Sequence, residues 1–150
     1  MPIHTESAAD TRALGAALAH MLREGDVLLL LGDMGAGKSE MARGIARGLG
    51  VSGPVPSPSF TILNVYTEGS ILLNHFDWYR VHDASELAES GLDEEVGRGI
   101  TVIEWPERAP SLWPEDRLEI TITAVSDQGR SIDIRSIGGF RKLTYKGMGT

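Results

Sequence analysis

Eight residues, Gly32-Asp-Met-Gly-Ala-Gly-Lys38-Ser39, stand between an unbroken apolar run and an amphipathic one, and they leave this chain few folds to choose from. The preceding DVLLLL (26–31) has the pattern of a short strand covered on both faces. The following EMARGIARGLG (40–50) reads as a helix with Gly50 at its C-cap. The eight residues fit G-x-x-x-x-G-K-[S/T], whose glycines let successive backbone N–H groups curl around a phosphate. Lys38 would bring a cation to the β and γ phosphates, the Ser39 hydroxyl could ligate Mg²⁺, and the helix points its positive end at the same anion. A chain of this composition matches the pattern by chance roughly once in 150–200 cases. Here the match also lies between strand and helix, where its mechanism requires it, so a nucleoside triphosphate site is expected. Lys38 is the only lysine before residue 142. The guanine-reading pattern N-K-x-D is therefore absent, which favours ATP over GTP, although no adenine signature is visible.

The rest of the chain supplies the elements such a site needs. Ser7, with Asp10 three residues on, marks a helix start; Leu14, Leu18, Met21 and Leu22 recur at helical spacing, and Gly25 closes the segment. VSGPVPSPS (51–59), with three prolines, excludes regular structure. FTILNVY and SILLNHFDWY flank a turn at TEGS and predict a hairpin, short helices are expected within 84–98, and ITVIE (100–104) reads as a strand. RLEITITAV alternates, with Leu118, Ile120, Ile122 and Ala124 on one face; SDQG turns the chain and RSIDIRSI returns it. The expected fold is α/β, a P-loop NTPase-like three-layer domain whose mixed sheet has a parallel core and an antiparallel C-terminal hairpin. One domain over 1–140 is expected, followed by a basic, loosely ordered tail at 141–150.

Composition narrows the class. Cysteine is absent, which excludes disulfides and thiolate metal sites and fits a reducing, cytoplasmic setting. The N-terminus has no secretory pattern, and the longest apolar runs are too short to span a bilayer, so no membrane association is expected. A net charge of −7 argues against broad electrostatic binding to nucleic acid. The stretch DASELAESGLDEE (83–95) carries six acids and no base, and reads as a solvated helix face.

A P-loop enzyme needs a further group to hold Mg²⁺ or orient the attacking water, and the end of a neighbouring strand usually supplies it. Two acids qualify, Asp77 in HFDWYR and Glu104 in ITVIEWPER. Trp105 and Pro106 follow Glu104 at once and force the chain out of the strand, which would leave that carboxylate facing a crevice. Trp105 is either packing or a lid over the site. His75, Asp77 and Tyr79 share one face of a regular strand and could form a polar network around the metal. SPSFT (57–61) offers the hydroxyls of Ser57, Ser59 and Thr61 where a GTPase carries a switch ordered by the γ-phosphate.

The motifs G-D-M-G-A-G-K-S, S-P-S-F-T, H-F-D-W-Y-R and I-E-W-P-E-R, in this order and spacing, resemble the TsaE (YjeE) family over roughly residues 5–137. That resemblance implies an ATPase of bacterial tRNA threonylcarbamoyladenosine (t6A) synthesis that binds the TsaB–TsaD complex and meets tRNA only through it. It also implies that Ser39 and Glu104 are associated with Mg²⁺, that Glu104 matters for hydrolysis, that Asp77 and Trp105 are functional, and that Arg130 touches the nucleotide. The expected catalytic residues are then Lys38, Glu104 and Asp77, and the metal residues Ser39, Glu104 and Asp77. ATP or ADP would be held by Gly32, Asp33, Met34, Gly35, Ala36, Gly37, Lys38, Ser39, Thr61, Trp105 and Arg130. Two departures stand out: Ser39 replaces the usual Thr and keeps the hydroxyl, and Ser59 replaces a common Thr. No arginine finger is evident, though Arg80 and Arg108 are candidates, so weak intrinsic hydrolysis is expected. Two competing readings are an ATP-occupancy switch that needs no turnover and a small-molecule kinase.

Overall fold

The structure, a computed structural model, describes residues 2–144. Seven strands form one sheet: β1 (Ile3–Thr5), β2 (Val27–Leu31), β3 (Leu63–Tyr66), β4 (Leu73–Asp77), β5 (Ile100–Glu104), β6 (Arg117–Ala124) and β7 (Arg130–Ile137). Their spatial order is β1-β7-β6-β2-β5-β4-β3. The four central strands, β6, β2, β5 and β4, run parallel. The outer pairs β6–β7, β1–β7 and β3–β4 are antiparallel. This is the expected mixed sheet; the hairpin expected of FTILNVY and SILLNHFDWY forms over 63–77, and the C-terminal one over 117–137. β1 was not anticipated, because Ile-His-Thr is too short to show alternation.

β2 is central because its side chains satisfy both faces. Leu28, Leu29 and Leu30 are fully buried, and each such leucine contributes about 1.5–3 kcal/mol by leaving water. On one face Leu28 and Leu30 pack with helices α1 (Ala8–Ala19) and α2 (Lys38–Gly48). On the other, Val27 and Leu29 join Phe76, Trp78, Leu87 and Ile103, covered by the short helix α3 (Ala84–Glu89) and by 3-10 turns. Three layers result.

Ser7 caps α1 as its sequence suggests: its hydroxyl accepts the Asp10 N–H at 3.1 Å, and the Asp10 carboxylate accepts the Glu6 N–H in return. The helix stops at Ala19, sooner than the apolar spacing implied, and Met21 and Leu22 belong to the following turn. α1 and α2 touch through glycine. A Cβ on Gly44 would stand 2.1 Å from the Arg12 carbonyl oxygen, and one on Gly15 would stand 2.7 Å from that of Met41. Only residues without side chains permit this approach.

Two expectations need correcting. Ala124 is exposed, since β6 runs past the core at its end while Leu118, Ile120 and Ile122 remain buried. The basic segment does not begin as a loose end at 141: the Arg141 guanidinium binds both Asp26 carboxylate oxygens at 2.7 and 2.9 Å and the Met21 carbonyl at 2.6 Å. Residues 145–150 of that segment lie outside the described residues. The acidic stretch 83–95 is largely solvated, with Asp83 capping α3. Among the described residues no helix is long and apolar enough to cross a membrane.

Candidate functional site

β2 delivers the chain into the phosphate loop, and sterics explain the loop's glycines. A Cβ on Gly32 would lie 2.5 Å from the Ile122 carbonyl oxygen of β6, so the loop can hug the sheet only with glycine there. Gly35 and Gly37 hold φ of 79° and 110°, in the left-handed region. Gly37 precedes α2 without offering a side-chain cap, so the first-turn N–H groups of that helix are left for an anion. The loop therefore fits a phosphate by its backbone.

Lys38 is buried at the helix start. Its ammonium donates to the Gly32 carbonyl at 2.5 Å and lies 3.3 Å from the centroid of the Trp105 ring. Burial pushes its pKa down, and the carboxylates of Glu107, Glu104, Asp77 and Asp33 oppose that shift. Next to it, the Ser39 hydroxyl donates to Glu104 Oε1 at 2.9 Å, bridging 65 residues of sequence. The other Glu104 oxygen, Oε2, lies 2.6 Å from His75 Nε2. Glu104 is only 2% exposed, so both oxygens depend on these partners.

Asp77 and Glu104 are register partners on the parallel strands β4 and β5. The Asp77 carboxylate accepts the Tyr79 N–H at 2.9 Å and the Ser57 hydroxyl at 3.2 Å, so it faces the proline-rich segment. Burial pushes the Asp77 pKa up and the Glu104 charge adds to this, while the Tyr79 N–H, the Ser57 hydroxyl and His75 pull it back. Trp105 leaves the strand at φ 57°, a left-handed conformation uncommon outside glycine. Its ring packs on Tyr79 with centroids 4.9 Å apart.

These groups enclose a cavity of about 460 Å³, a volume suited to a small-molecule ligand. Met34, Gly35, Gly37, Lys38, Ser39, Asp77, Glu104 and Trp105 line it together with Glu40, Ser57, Ser59, Tyr79 and Arg80. Gly32, Asp33 and Ala36 shape the loop from its outer side, against Thr121–Ala124 of β6. Two of the expected residues, Thr61 and Arg130, are not among the residues that line the cavity. Thr61 turns its hydroxyl to Asn64 Oδ1 at 3.1 Å on the exposed surface, because Ile62 takes a left-handed turn (φ 69°) that carries Thr61 away. Arg130 lies against the loop and braces it. Its Nε donates to the Ala36 carbonyl at 2.7 Å, and Nη1 to the Gly129 carbonyl at 2.8 Å and the Ser126 carbonyl at 3.0 Å.

Nothing in the local sequence marks the contact of His75 with Glu104 or of Tyr79 with Trp105. The two-residue alternation back from Asp77 was the only available signal for His75. Among the described residues no three His, Asp or Glu side chains form a ready metal cage. A hydroxyl beside one carboxylate suits Mg²⁺, which keeps waters and shares its coordination with phosphate oxygens.

Comparison with known proteins agrees with this geometry. A sequence model of the family described as threonylcarbamoyl adenosine biosynthesis protein TsaE matches residues 5–132. The chain is 40% identical over 130 residues to the tRNA threonylcarbamoyladenosine biosynthesis protein TsaE of Bacillus subtilis, covering 86% of this chain and 81% of that one. Identity to the protein of the same name from Treponema pallidum is 38% over 131 residues, covering 87% and 96%. The crystal structure of Bacillus subtilis YdiB superposes with a TM-score of 0.76 at 33% identity, covering 92% of this chain and 86% of that chain.

Proposed function

The chain belongs to the TsaE family of tRNA threonylcarbamoyladenosine biosynthesis, and on that premise we propose that it is a Mg²⁺-dependent ATPase. ATP binds in the cavity between the phosphate loop and the ends of β4 and β5, is hydrolysed slowly by the chain alone, and its turnover supports t6A formation through the TsaB–TsaD complex in the cytoplasm. The observation that carries this reading is the 2.9 Å contact between Ser39 Oγ and Glu104 Oε1, which joins the hydroxyl of the phosphate loop to a strand-end carboxylate.

The residues divide the work by chemistry. The uncapped N–H groups of α2 and the loop hold phosphate oxygens. Lys38 exchanges the Gly32 carbonyl and the Trp105 ring for those oxygens, and its desolvated ammonium interacts with them more strongly than it would in water. Ser39 and Glu104, with Asp77 beside them, would hold a Mg²⁺ ion, which when bound would supply charge neutralisation at the phosphates. Glu104 also presents a fixed acceptor to the attacking water. Arg80, which lines the cavity, lies over the Phe60 ring at 4.2 Å, and Arg108 lies over Tyr79 at 5.4 Å, so each is engaged with a ring. This supports slow turnover without a partner.

The test is Glu104→Gln, assayed for ATP binding, for hydrolysis with and without TsaB–TsaD and tRNA, and for t6A. Retained binding with lost hydrolysis and lost t6A is expected. Normal t6A with this variant, when Lys38→Ala abolishes it, would instead identify a switch that works by occupancy. Absence of any stimulation by the partner complex would contradict the proposed coupling.

A further inference from the structure

We propose that His75 is the positioning residue that fixes the Glu104 carboxylate for metal and water, an inference that rests on the ATPase reading above. Both side chains are almost wholly buried, at 2% and 3% exposure. The 2.6 Å contact between His75 Nε2 and Glu104 Oε2 crosses from β4 to β5. An ionised carboxylate can only accept, so Nε2 carries the hydrogen in this contact. His75 Nδ1 has no partner among the described residues, so Glu104 is the ring's one polar tie.

The arrangement divides the carboxylate between two donors. Ser39 takes Oε1 and lines the cavity, where its hydroxyl could turn to a metal, whereas His75 takes Oε2 and does not line the cavity. When the Ser39 hydroxyl turns to a metal, the histidine remains as the donor that holds Glu104 in its rotamer. A glutamate has three side-chain torsions, and without that donor a buried carboxylate would be free to swing toward Lys38, whose charge it already feels. Outer partners of this kind typically change metal affinity or activity by 10- to 100-fold when removed.

The amide nitrogen of glutamine can reach the position of Nε2, whereas that of asparagine falls near Nδ1, so the two substitutions separate positioning from bulk. His75→Asn and His75→Ala should lower kcat by about 10- to 100-fold with KM for ATP changed less than about threefold. They should also raise about tenfold the Mg²⁺ concentration that half-saturates Mg²⁺-dependent binding of a non-hydrolysable ATP analogue, a readout independent of turnover. His75→Gln should recover most of both losses. Wild-type kcat and Mg²⁺ dependence in folded His75→Ala would overturn the proposal, as would a glutamine variant no better than asparagine. If the alanine and asparagine chains do not fold, ¹⁵N spectra of wild-type histidine decide the matter. A hydrogen-bonded Nε2–H tautomer supports the proposal, and an Nδ1–H tautomer refutes it. A Glu104→Gln chain that hydrolyses ATP normally would overturn the ATPase assignment of Glu104 and this inference with it. Failure confined to the His75 variants would leave the ATPase reading standing.

Discussion

Lys38 and Trp105 touch: the ammonium of the phosphate loop lies 3.3 Å from the indole centroid of the residue that follows the strand-end acid. A partly desolvated contact of this kind is worth about 1–2 kcal/mol, so under the proposed function a phosphate arriving at Lys38 would have to compete with the ring. Addition of Mg·ATP should therefore change indole emission. Trp105→Phe should abolish that change and Trp113→Phe should preserve it, as measured by fluorescence titration. A nucleotide signal that survives in Trp105→Phe would contradict the competition.

Asp77 should make stability depend on pH in a set direction. Burial pushes its pKa up, so the folded state holds this proton more tightly than the unfolded chain does. Its favourable contribution is complete below the ordinary aspartate range and is lost as pH rises through the raised folded value. Asp77→Asn keeps the group neutral, so the variant's melting temperature should gain on wild type between pH 4 and pH 8. Melts at the two pH values check this, and a gain that shrinks with rising pH would show that the sign is wrong. Under the proposed function, ATP hydrolysis in the same variant should fall at least about tenfold, as expected for a charged group lost from beside a bound metal.

Arg130 makes a fork-specific prediction. Its Nε and Nη1 reach the Ala36 carbonyl and the turn carbonyls at Ser126 and Gly129 together, a geometry that a lysine cannot copy. Arg130→Ala and Arg130→Lys should both cost about 1–3 kcal/mol of stability and weaken nucleotide binding. Chemical denaturation and a binding titration measure the two effects. Full rescue by lysine would mean that charge, and not bracing, is what matters.

Thr61 and Ser57 should separate. The Thr61 hydroxyl faces Asn64 at the surface, so Thr61→Val should leave ATP hydrolysis within about twofold of wild type. Ser57 donates to Asp77 at the cavity wall, and Ser57→Ala should alter both hydrolysis and the pH dependence assigned to Asp77. A steady-state comparison of the two variants suffices.

The strand, glycine-rich loop and helix of 26–50 were readable in sequence because they are contiguous, and each residue constrains the next. The β-hairpins were readable because alternation and turn residues are local signals. Long-range neighbours were not. Periodicity placed His75 on a face with Asp77, but its actual partner, Glu104, follows from β4 lying beside β5, which depends on pairing across 29 residues of chain. Arg130 was expected at the nucleotide; its guanidinium lies against the loop, where it meets the Ala36 carbonyl, a contact across 94 residues that no local signal marks. Thr61 was expected at the site, and a single left-handed residue, Ile62, carried it away. Strand-end position alone could not rank the two acids.

The order of the strands supplies that ranking as a ruler. Leu30 of β2 is registered with Glu104 of β5, and Glu104 with Asp77 of β4, so the root of the phosphate loop and the two acids lie along one row of the sheet. Adjacent strands are spaced about 4.8 Å apart, so the two acids stand about one and about two spacings from the strand that feeds the loop. One step is short enough for a glutamate to reach Ser39, and two steps leave the shorter aspartate facing Ser57. Exchanging the two acids between strands would therefore not exchange their roles, because the reach of the site is graduated by the sheet itself.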